Sequence, residues 1–172
     1  MFYRRKIVNA GPDFMNVKKI ISGGQTGVDR AGLDFAIETG IEHGGYCPKG
    51  RRAEDGRIPA KYNLVETESA DYEERTERNL TESDGTLIMY IGKMRGGTLL
   101  TSALCRKEGK PCLIIDLNHL TEGTARDFTK WLMDNGIRVL NIAGGRESVA
   151  PIYSKAMECL RFLFSNRKIR KK

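Results

Sequence analysis

A short run near the start of the chain combines glycines with polar side chains in a way that suits anion binding. Residues 23–29 hold three glycines, two neutral polar side chains and a carboxylate: Gly23, Gly24, Gly27, Gln25, Thr26 and Asp29. A β-rich apolar run precedes them and helical spacing follows, which predicts a strand, a turn and a helix start with unpaired N–H donors. The spacing matches neither the dinucleotide pattern G-x-G-x-x-G nor the P-loop. We expect a phosphate-bearing ligand here; the alternative is a turn that needs glycine only for its backbone geometry.

A long charged loop, residues 44–56, is the second candidate site element. Within four residues it carries three cations, Lys49, Arg51 and Arg52, which we expect to neutralise the charge of the ligand. The alternative is a solvated surface on which two adjacent carboxylates, Glu54 and Asp55, neutralise these cations.

Two further segments could complete the site. The spacing predicts a helix over 72–81 with four polar residues on one face, which either lines a cleft or forms a salt-bridged outer face: Tyr72, Arg75, Thr76 and Asn79. A second glycine turn follows the apolar run at 86–91. The backbone N–H groups of this turn, at Gly96, Gly97 and Thr98, could hold phosphate.

The elements that must position these residues alternate between strands and helices. We predict strands or extended segments at residues 17–21, from Ile41, and at 62–67, 86–91, 112–117 and 137–143. We predict helices at 31–39, 72–81, 99–107, 124–135 and 149–164, the last with Pro151 in its first turn. This alternation indicates a three-layer α/β/α sandwich with a mostly parallel, Rossmann-like sheet. If the strands before the two glycine turns are neighbours, both turns face one cleft.

Length and composition indicate one globular domain. The chain has 172 residues, of which 40% are hydrophobic and 30% charged, and no apolar run reaches the length of a membrane span. The N-terminal residues lack the apolar core of a secretory signal, so we expect a cytoplasmic protein. We divide the chain into an N-terminal extension (1–16), a single domain (17–164) and a basic C-terminal tail (165–172).

The formal net charge of +7 lies at the two ends of the chain. Eight basic residues and one acidic residue occupy the ends, while the region between them carries 21 residues of each sign. The ends could contact nucleic acid or an acidic partner. Because the body is neutral, a nucleic-acid binder is the least favoured interpretation.

Four cysteines and two histidines show no metal-binding spacing. The cysteines are far apart and form no C-x-x-C pair, which argues against structural zinc and against a disulfide framework, and we assign no metal site. Cys105 and Cys112 are expected in the core. Cys47 lies beside basic residues that could lower the pKa of its thiol.

Three stretches of the chain resemble the molybdenum carrier family. They are Ile20–Ala31 (IISGGQTGVDRA), Cys47–Gly56 (CPKGRRAEDG) and Asn141–Ser148 (NIAGGRES), and the similarity extends from about Lys18 to about Leu163. The family is similar to the wider SLOG superfamily of Rossmann-like folds, which includes molybdenum cofactor carriers, cytokinin-activating proteins and the core of DNA-processing protein A. The resemblance implies a nucleotide-like or pterin-like phosphate ligand between two glycine turns, with molybdenum cofactor (molybdopterin) as cargo, and a homo-oligomer.

Two positions depart from the patterns of these relatives. The phosphoribohydrolases among them carry a Pro-Gly-Gly-x-Gly-Thr-x-x-Glu motif with a catalytic glutamate, but the matching turn here, residues 95–101, has no carboxylate. In the third glycine turn, Gly145 stands where a proline is expected. The first departure weakens a nucleosidase interpretation.

Three functions therefore compete. The leading hypothesis is a non-catalytic carrier for a phosphate-bearing small molecule, either molybdenum cofactor or a nucleotide-like ligand. The second is a hydrolase acting on a nucleotide derivative, with Glu54, Asp55 or Asp29 as the acid or base. The third is a DNA-processing-type binder whose basic ends contact phosphates, which a steep salt dependence of affinity would reveal.

Overall fold

The computed structural model describes residues 17–165. The N-terminal extension, the basic ends on which the nucleic-acid hypothesis rests, and all but the first residue of the predicted tail lie outside the described residues. The described strands and helices are β1 (Lys19–Ile21), α1 (Val28–Thr39), β2 (Glu42–Gly44), β3 (Tyr46–Cys47), β4 (Arg52–Ala53), β5 (Gly56–Arg57), β6 (Val65–Glu66), α2 (Tyr72–Thr81), β7 (Gly85–Tyr90), α3 (Gly96–Lys107), β8 (Cys112–Asp116), α4 (Glu122–Asp134), β9 (Val139–Gly144) and α5 (Tyr153–Leu163). A 3-10 turn covers Lys49–Arg51.

Five of these strands form one sheet in the order β2-β1-β9-β7-β8, and each neighbouring pair is parallel. Helices α1, α4 and α5 pack together on one face, and α2 packs against α3 on the other. The predicted α/β/α sandwich is confirmed, and its central sheet is parallel throughout. The carboxyl ends of its strands therefore share one edge, where ligands bind in folds of this class.

The apolar runs of the sequence become the centre of this sheet. Five of the six residues of β7 are buried, as expected for a parallel strand covered by helices on both faces. Leu87 and Met89 alternate along it and join the larger apolar cluster, which also contains Phe35 of α1 and Phe128 of α4. This packing holds the strand ends rigidly beneath the loops that follow them.

Helix α3 begins earlier than the sequence predicts. It starts at Gly96 rather than Leu99, so the two glycines belong to the first helical turn. Glycine is a poor residue for a helix interior, which explains the later predicted start. In the first turn that penalty is offset, since these backbone N–H groups need no partner within the helix and can face a ligand.

Helix α5 begins later than the sequence predicts. It starts at Tyr153 rather than Val149, so Pro151 precedes the helix instead of lying in its first turn. The carboxylate of Glu147 accepts the N–H groups of Ile152 and Tyr153 at 3.0 and 2.8 Å. This capping contact holds residues 147–152 as a loop and fixes where the helix starts.

Residues 46–67, predicted as a charged loop and an extended segment, fold into a small packed unit. β3 pairs with β6 in parallel and β4 pairs with β5 in an antiparallel hairpin. A second apolar cluster anchors the unit to α1; its members are Leu33, Cys47, Ala53, Ile58, Tyr62 and Leu64. The loop is therefore part of the folded body of the protein.

Candidate ligand-binding cleft

Three loops meet at the carboxyl edge of the central sheet. They follow β1 (residues 22–27), β7 (91–95) and β9 (145–152). From the sequence we expected the first two to share a cleft if β1 and β7 are neighbours, but β9 lies between these strands. Both glycine segments still line one cleft, because the loop after β9 closes the gap between them.

The cleft has a volume of about 310 Å³, at the lower end of the range for small-molecule sites. It brings together nine of the predicted ligand residues: Gly23, Gln25, Asp29, Arg75, Thr76, Asn79, Gly96, Gly97 and Thr98. It also includes Tyr72, which the sequence placed on the same helix face as Arg75, and polar residues that were not predicted to line it: Tyr90, Lys93, Arg95, Asn141 and Arg146. The predicted glycine turns thus lie at the edge of the sheet where this cleft opens.

A buried ion pair forms the cleft wall at the β1 end. Arg75 Nη1 donates to Asp29 Oδ2 at 2.6 Å, and the two side chains are 12% and 6% exposed. The same carboxylate oxygen accepts the backbone N–H of Gln25 at 3.3 Å. A Cβ at Gly23 would lie 1.5 Å from Arg75 Nη1. Gly23 therefore provides the space that lets the guanidinium reach Asp29.

The side chain of Gln25 contributes to this wall an amide whose nitrogen has no hydrogen-bond partner. The residue is 3% exposed, and its Oε1 accepts the N–H groups of Thr26 and Glu54, each at 3.0 Å. These two bonds fix which end of the amide is the oxygen. Within residues 17–165, Nε2 of Gln25 is the only buried side-chain nitrogen or oxygen without a hydrogen-bond partner. An unpaired buried donor costs about 1–3 kcal/mol, which an acceptor on a ligand would recover.

The opposite wall is the N-terminus of α3. Gly96 and Gly97 are exposed, and a Cβ on either residue would meet nothing within 4 Å. The N–H of Thr98 donates to the carbonyl of Arg95 at 3.1 Å, so Gly96 and Gly97 are the better placed of the three predicted phosphate donors. The positive end of the helix dipole adds to the attraction for an anion here.

Cations outnumber carboxylates in the cleft. Lys93, Arg95 and Arg146 line it together with Arg75, whereas Asp29 is the single carboxylate among its lining residues. In the described part of the chain, no carboxylate forms an ion pair with Lys93, Arg95 or Arg146. The cleft therefore has a net positive charge that favours an anionic ligand.

Tyr72 lies at the rim of the cleft among three guanidinium groups. The Cζ atoms of Arg146, Arg52 and Arg75 are 4.8, 5.2 and 5.7 Å from the centre of its ring. Each distance is within the range of a cation–π contact. The ring holds arginines from the β4 hairpin, α2 and the loop after β9 close together, which concentrates positive charge at this end of the cleft.

Two predicted residues on α2 make hydrogen bonds within the protein. Thr76 Oγ1 donates to the carbonyl of Tyr72 at 2.7 Å. Asn79 is buried, and its amide pairs with both backbone groups of Tyr46, at 2.8 and 2.9 Å. Asn79 thus fastens α2 to β3, and Tyr72 and Arg75 are the residues on this face with donors that can reach a ligand.

The three cations of the basic loop, Lys49, Arg51 and Arg52, were predicted to act together on the ligand, but the structure places them in three different environments. Arg51 directs its guanidinium onto four backbone carbonyls of residues 58–64, those of Ile58, Pro59, Tyr62 and Leu64, at 2.9–3.2 Å. Lys49 is exposed on the 3-10 turn, and only Arg52 reaches the cleft rim, through Tyr72. We therefore assign Arg51 to the folding of the small unit, because its donors are already used there.

This assignment predicts that Arg51→Lys destabilises the protein without weakening ligand binding. An ammonium cannot reproduce the planar fork that serves four acceptors, so we expect the free energy of unfolding to fall by about 2 kcal/mol. Denaturant unfolding measures this change. Lys49→Ala, at an exposed neighbouring cation, is the control and should change stability by less than about 0.5 kcal/mol. Equal effects of the two variants would contradict the assignment.

The other carboxylates considered as acid or base, Glu54 and Asp55, line a separate, open depression. Partial burial opposes ionisation of Glu54, but hydrogen bonds from Ser148 and Thr26 hold the pKa of its carboxyl below the usual value. The hydrogen bond from Arg30 likewise lowers the pKa of Asp55. Two ionised carboxylates with full sets of partners serve to join loops and are poorly suited to proton transfer at neutral pH.

The remaining residues of the first turn shape its backbone. Gly24 has a φ of +76°, and a Cβ there would lie 2.7 Å from Leu64, so this residue faces the apolar cluster. Thr26 donates to Glu54, and its Oγ1 accepts the N–H of Glu147 at 3.3 Å. Gly27, with a φ of +79°, lies directly against the loop after β9. The glycines and threonine of this turn thus connect it to its neighbours.

The prediction that nearby cations lower the pKa of the Cys47 thiol is wrong. Its side chain is fully buried in the apolar cluster of the small unit. Burial raises the pKa of this thiol, and this effect outweighs the lowering by nearby Arg51. Cys47 is therefore a small apolar core residue, as Cys105 is in its own cluster.

Lys93, Arg95 and Arg146 were not predicted from the sequence as site residues. A signal for them was present, because each lies in a loop directly after an apolar run that becomes a central strand. The charge run at 49–52 was more conspicuous. The cations directly after the strand ends line the cleft, whereas those of residues 49–52 do not.

Among residues 17–165, no group of three or more His, Cys, Asp or Glu side chains is arranged to hold a metal ion. No helix in the same range is both long and apolar enough to cross a membrane.

Comparisons with known proteins agree with the resemblance in the sequence. A sequence model of the circularly permutated YpsA SLOG family matches residues 20–164. The crystal structure of a protein from Syntrophus aciditrophicus SB, named "Putative molybdenum carrier protein", is 46% identical in sequence and has a TM-score of 0.86. The alignment covers 89% of the present chain and 98% of that protein. No curated protein sequence matches the chain.

Proposed function

Since the chain belongs to the circularly permutated YpsA SLOG family, we propose that it is a carrier that binds a phosphate-bearing small molecule in the cleft between its three loops. The charge distribution of the cleft carries this proposal. Arg75, Lys93, Arg95 and Arg146 face a single carboxylate, Asp29. An anionic ligand would offset the repulsion among these cations and gain charge-assisted hydrogen bonds from them.

The phosphate would bind at the N-terminus of α3. The backbone N–H groups of Gly96 and Gly97 would donate to its oxygens, and Lys93 and Arg95 would balance its charge. The exposed glycines leave space for a phosphate to approach the backbone closely. This arrangement supports the binding of a phosphate ester without a dedicated metal site.

The rest of the ligand would contact the apolar residues of the cleft. Those residues are Ile91, Leu100, Val149 and Ile152. Val149 is 65% exposed, so a flat organic ring could cover it and gain from its burial. A ligand with a phosphate at one end and a flat ring at the other has the layout of a nucleotide or of a pterin with a phosphate ester.

Molybdenum cofactor fits this description as cargo. It is a pterin with a phosphate ester, and the similar protein from S. aciditrophicus carries a molybdenum carrier name. The protein would hold this cargo through the phosphate and the ring, so the metal would need no ligand from the chain. Carriage without turnover agrees with Asp29 being the one carboxylate in the cleft and being paired with Arg75.

Native purification followed by identification of the bound compound tests the proposal. We expect mass spectrometry to detect a phosphate-bearing compound, and parallel metal analysis to detect molybdenum if that compound is molybdenum cofactor. A nucleotide without metal would support the binding site but not this cargo. A native preparation with no phosphate-bearing compound would contradict the proposed function.

Gly97→Val should lower the amount of this compound per chain by about tenfold, because the added side chain would fill the phosphate position. A Cβ at Gly97 meets nothing within 4 Å, so the fold should tolerate the change. Gly123→Val is the matched control, since Gly123 is also the second residue of a helix but lies outside the cleft lining. Equal losses in the two variants would refute phosphate binding at α3.

A further inference from the structure

We propose that the β1 end of the cleft contains a second anion subsite, formed by Gln25 and Arg75, that binds a tetrahedral oxyanion. It is distinct from the phosphate position at α3 and rests on the proposed function of the cleft. The ligand could be a free ion such as molybdate, or the oxygen-rich end of a larger cargo. Both share the chemistry of oxygen acceptors around a small central atom.

The Gln25 amide supplies the first argument. Its Oε1 is committed to two backbone N–H groups, so Nε2 has a fixed position and two protons to donate. The residue lines the cleft and is 3% exposed. Among the described residues, no protein atom accepts from this Nε2. A preorganised, unpaired donor in the cleft wall suits a ligand that offers an acceptor.

The second argument comes from the guanidinium of Arg75, which two hydrogen bonds hold in place. Asp29 accepts from Nη1 at 2.6 Å and the carbonyl of Tyr72 accepts from Nε at 3.3 Å, which fixes the plane of the group. Further N–H groups of a guanidinium remain for a ligand in this geometry. Asp29 Oδ2 also accepts the backbone N–H of Gln25, so one oxygen positions both donors. Asp29 is therefore a positioning residue for the subsite.

The third argument comes from the positive charge of the arginines around Tyr72. The guanidinium groups of Arg146 and Arg52 contact the same Tyr72 ring as Arg75, at 4.8 and 5.2 Å. With Arg75 included, three guanidinium groups surround this ring, whereas Asp29 is the single carboxylate among the cleft-lining residues. A neutral acceptor such as an amide carbonyl would satisfy Gln25 but would leave this excess charge unbalanced. An oxyanion satisfies both.

Gln25→Glu tests the subsite with a nearly isosteric change. The new carboxylate can still accept the N–H groups of Thr26 and Glu54, but it replaces the unpaired donor by a negative charge. We expect molybdate binding, measured by equilibrium dialysis at constant ionic strength with chloride as the balancing anion, to weaken by about tenfold or more. Gly123→Val, at a helix start outside the cleft lining, should change it by less than about twofold.

Circular dichroism verifies that Gln25→Glu is folded, and Gln25→Met, which removes the amide without adding charge, replaces it if it is not. Wild-type protein that binds no molybdate would refute the subsite, as would molybdate binding that is lost in Gly97→Val and kept in Gln25→Glu. Neither result touches the proposed function, whose failure shows separately as the absence of a copurifying phosphate-bearing compound.

Discussion

Gly27→Ala is expected to lower the free energy of unfolding by about 3 kcal/mol. Gly27 has φ +79° and ψ −124°, a conformation that residues with a Cβ rarely adopt. A Cβ there would also lie 2.4 Å from the carbonyl oxygen of Gly145 and 2.9 Å from the backbone nitrogen of Glu147. Both obstacles are backbone atoms, so relief requires the loop after β9 to move away from the first turn. Denaturant unfolding measures the loss.

Gly40→Ala is the control for this prediction. Gly40 also has a left-handed backbone, with φ +73° and ψ 16°, but a Cβ there would meet nothing within 4 Å. Its substitution carries only the conformational cost, about 1 kcal/mol. Losses of the same size at the two glycines would show that the contact between Gly27 and the third loop adds nothing to stability.

Asp29→Ala is expected to destabilise the protein by about 3–4 kcal/mol, because it leaves the guanidinium of Arg75 largely buried without a counter-charge. The two side chains are 12% and 6% exposed, so solvent can replace little of the lost interaction. The change also removes the acceptor for the N–H of Gln25. Equilibrium unfolding in denaturant, with circular dichroism as the probe, measures the difference.

The ion pair between Arg30 and Asp55 provides the comparison. It is bidentate, with N–O distances of 2.5 and 2.7 Å, but the Asp55 side chain is 48% exposed. Asp55→Ala should therefore cost less than about 1 kcal/mol. If the loss at Asp29 is no larger than the loss at Asp55, burial does not strengthen the Asp29–Arg75 pair and Asp29 cannot be fixing the position of Arg75.

The sheet and helices were predictable because their signals are local. Apolar runs bounded by glycine gave the central strands, and the spacing of Tyr72, Arg75 and Asn79 gave α2 with its observed bounds. Strand order is not local, and nothing in the sequence places β9 between β1 and β7. The prediction therefore found two walls of the cleft and left out the loop that joins them. Homo-oligomerisation, implied by family resemblance, stays a prediction.

The contact residues were harder to predict than the strand ends. Arg51 and Arg75 have the same chemistry in the sequence, yet one points at carbonyls of its own unit and the other at the cleft. Which way a long side chain points depends on packing between segments far apart in the chain. The unpaired Nε2 of Gln25 is a still clearer case, because its significance comes from the two backbone groups that occupy Oε1.

The central position of β9 has a consequence for folding during synthesis. β1 with β2, and β7 with β8, are pairs joined by single helices and can form as soon as each segment leaves the ribosome. β9 is the last strand of the described chain, and it pairs with β1 across 120 positions, Ile20 opposite Leu140. Until it is made, two half-sheets each expose an edge that can pair wrongly. The cleft therefore cannot be complete before β9 and the loop after it have been synthesised.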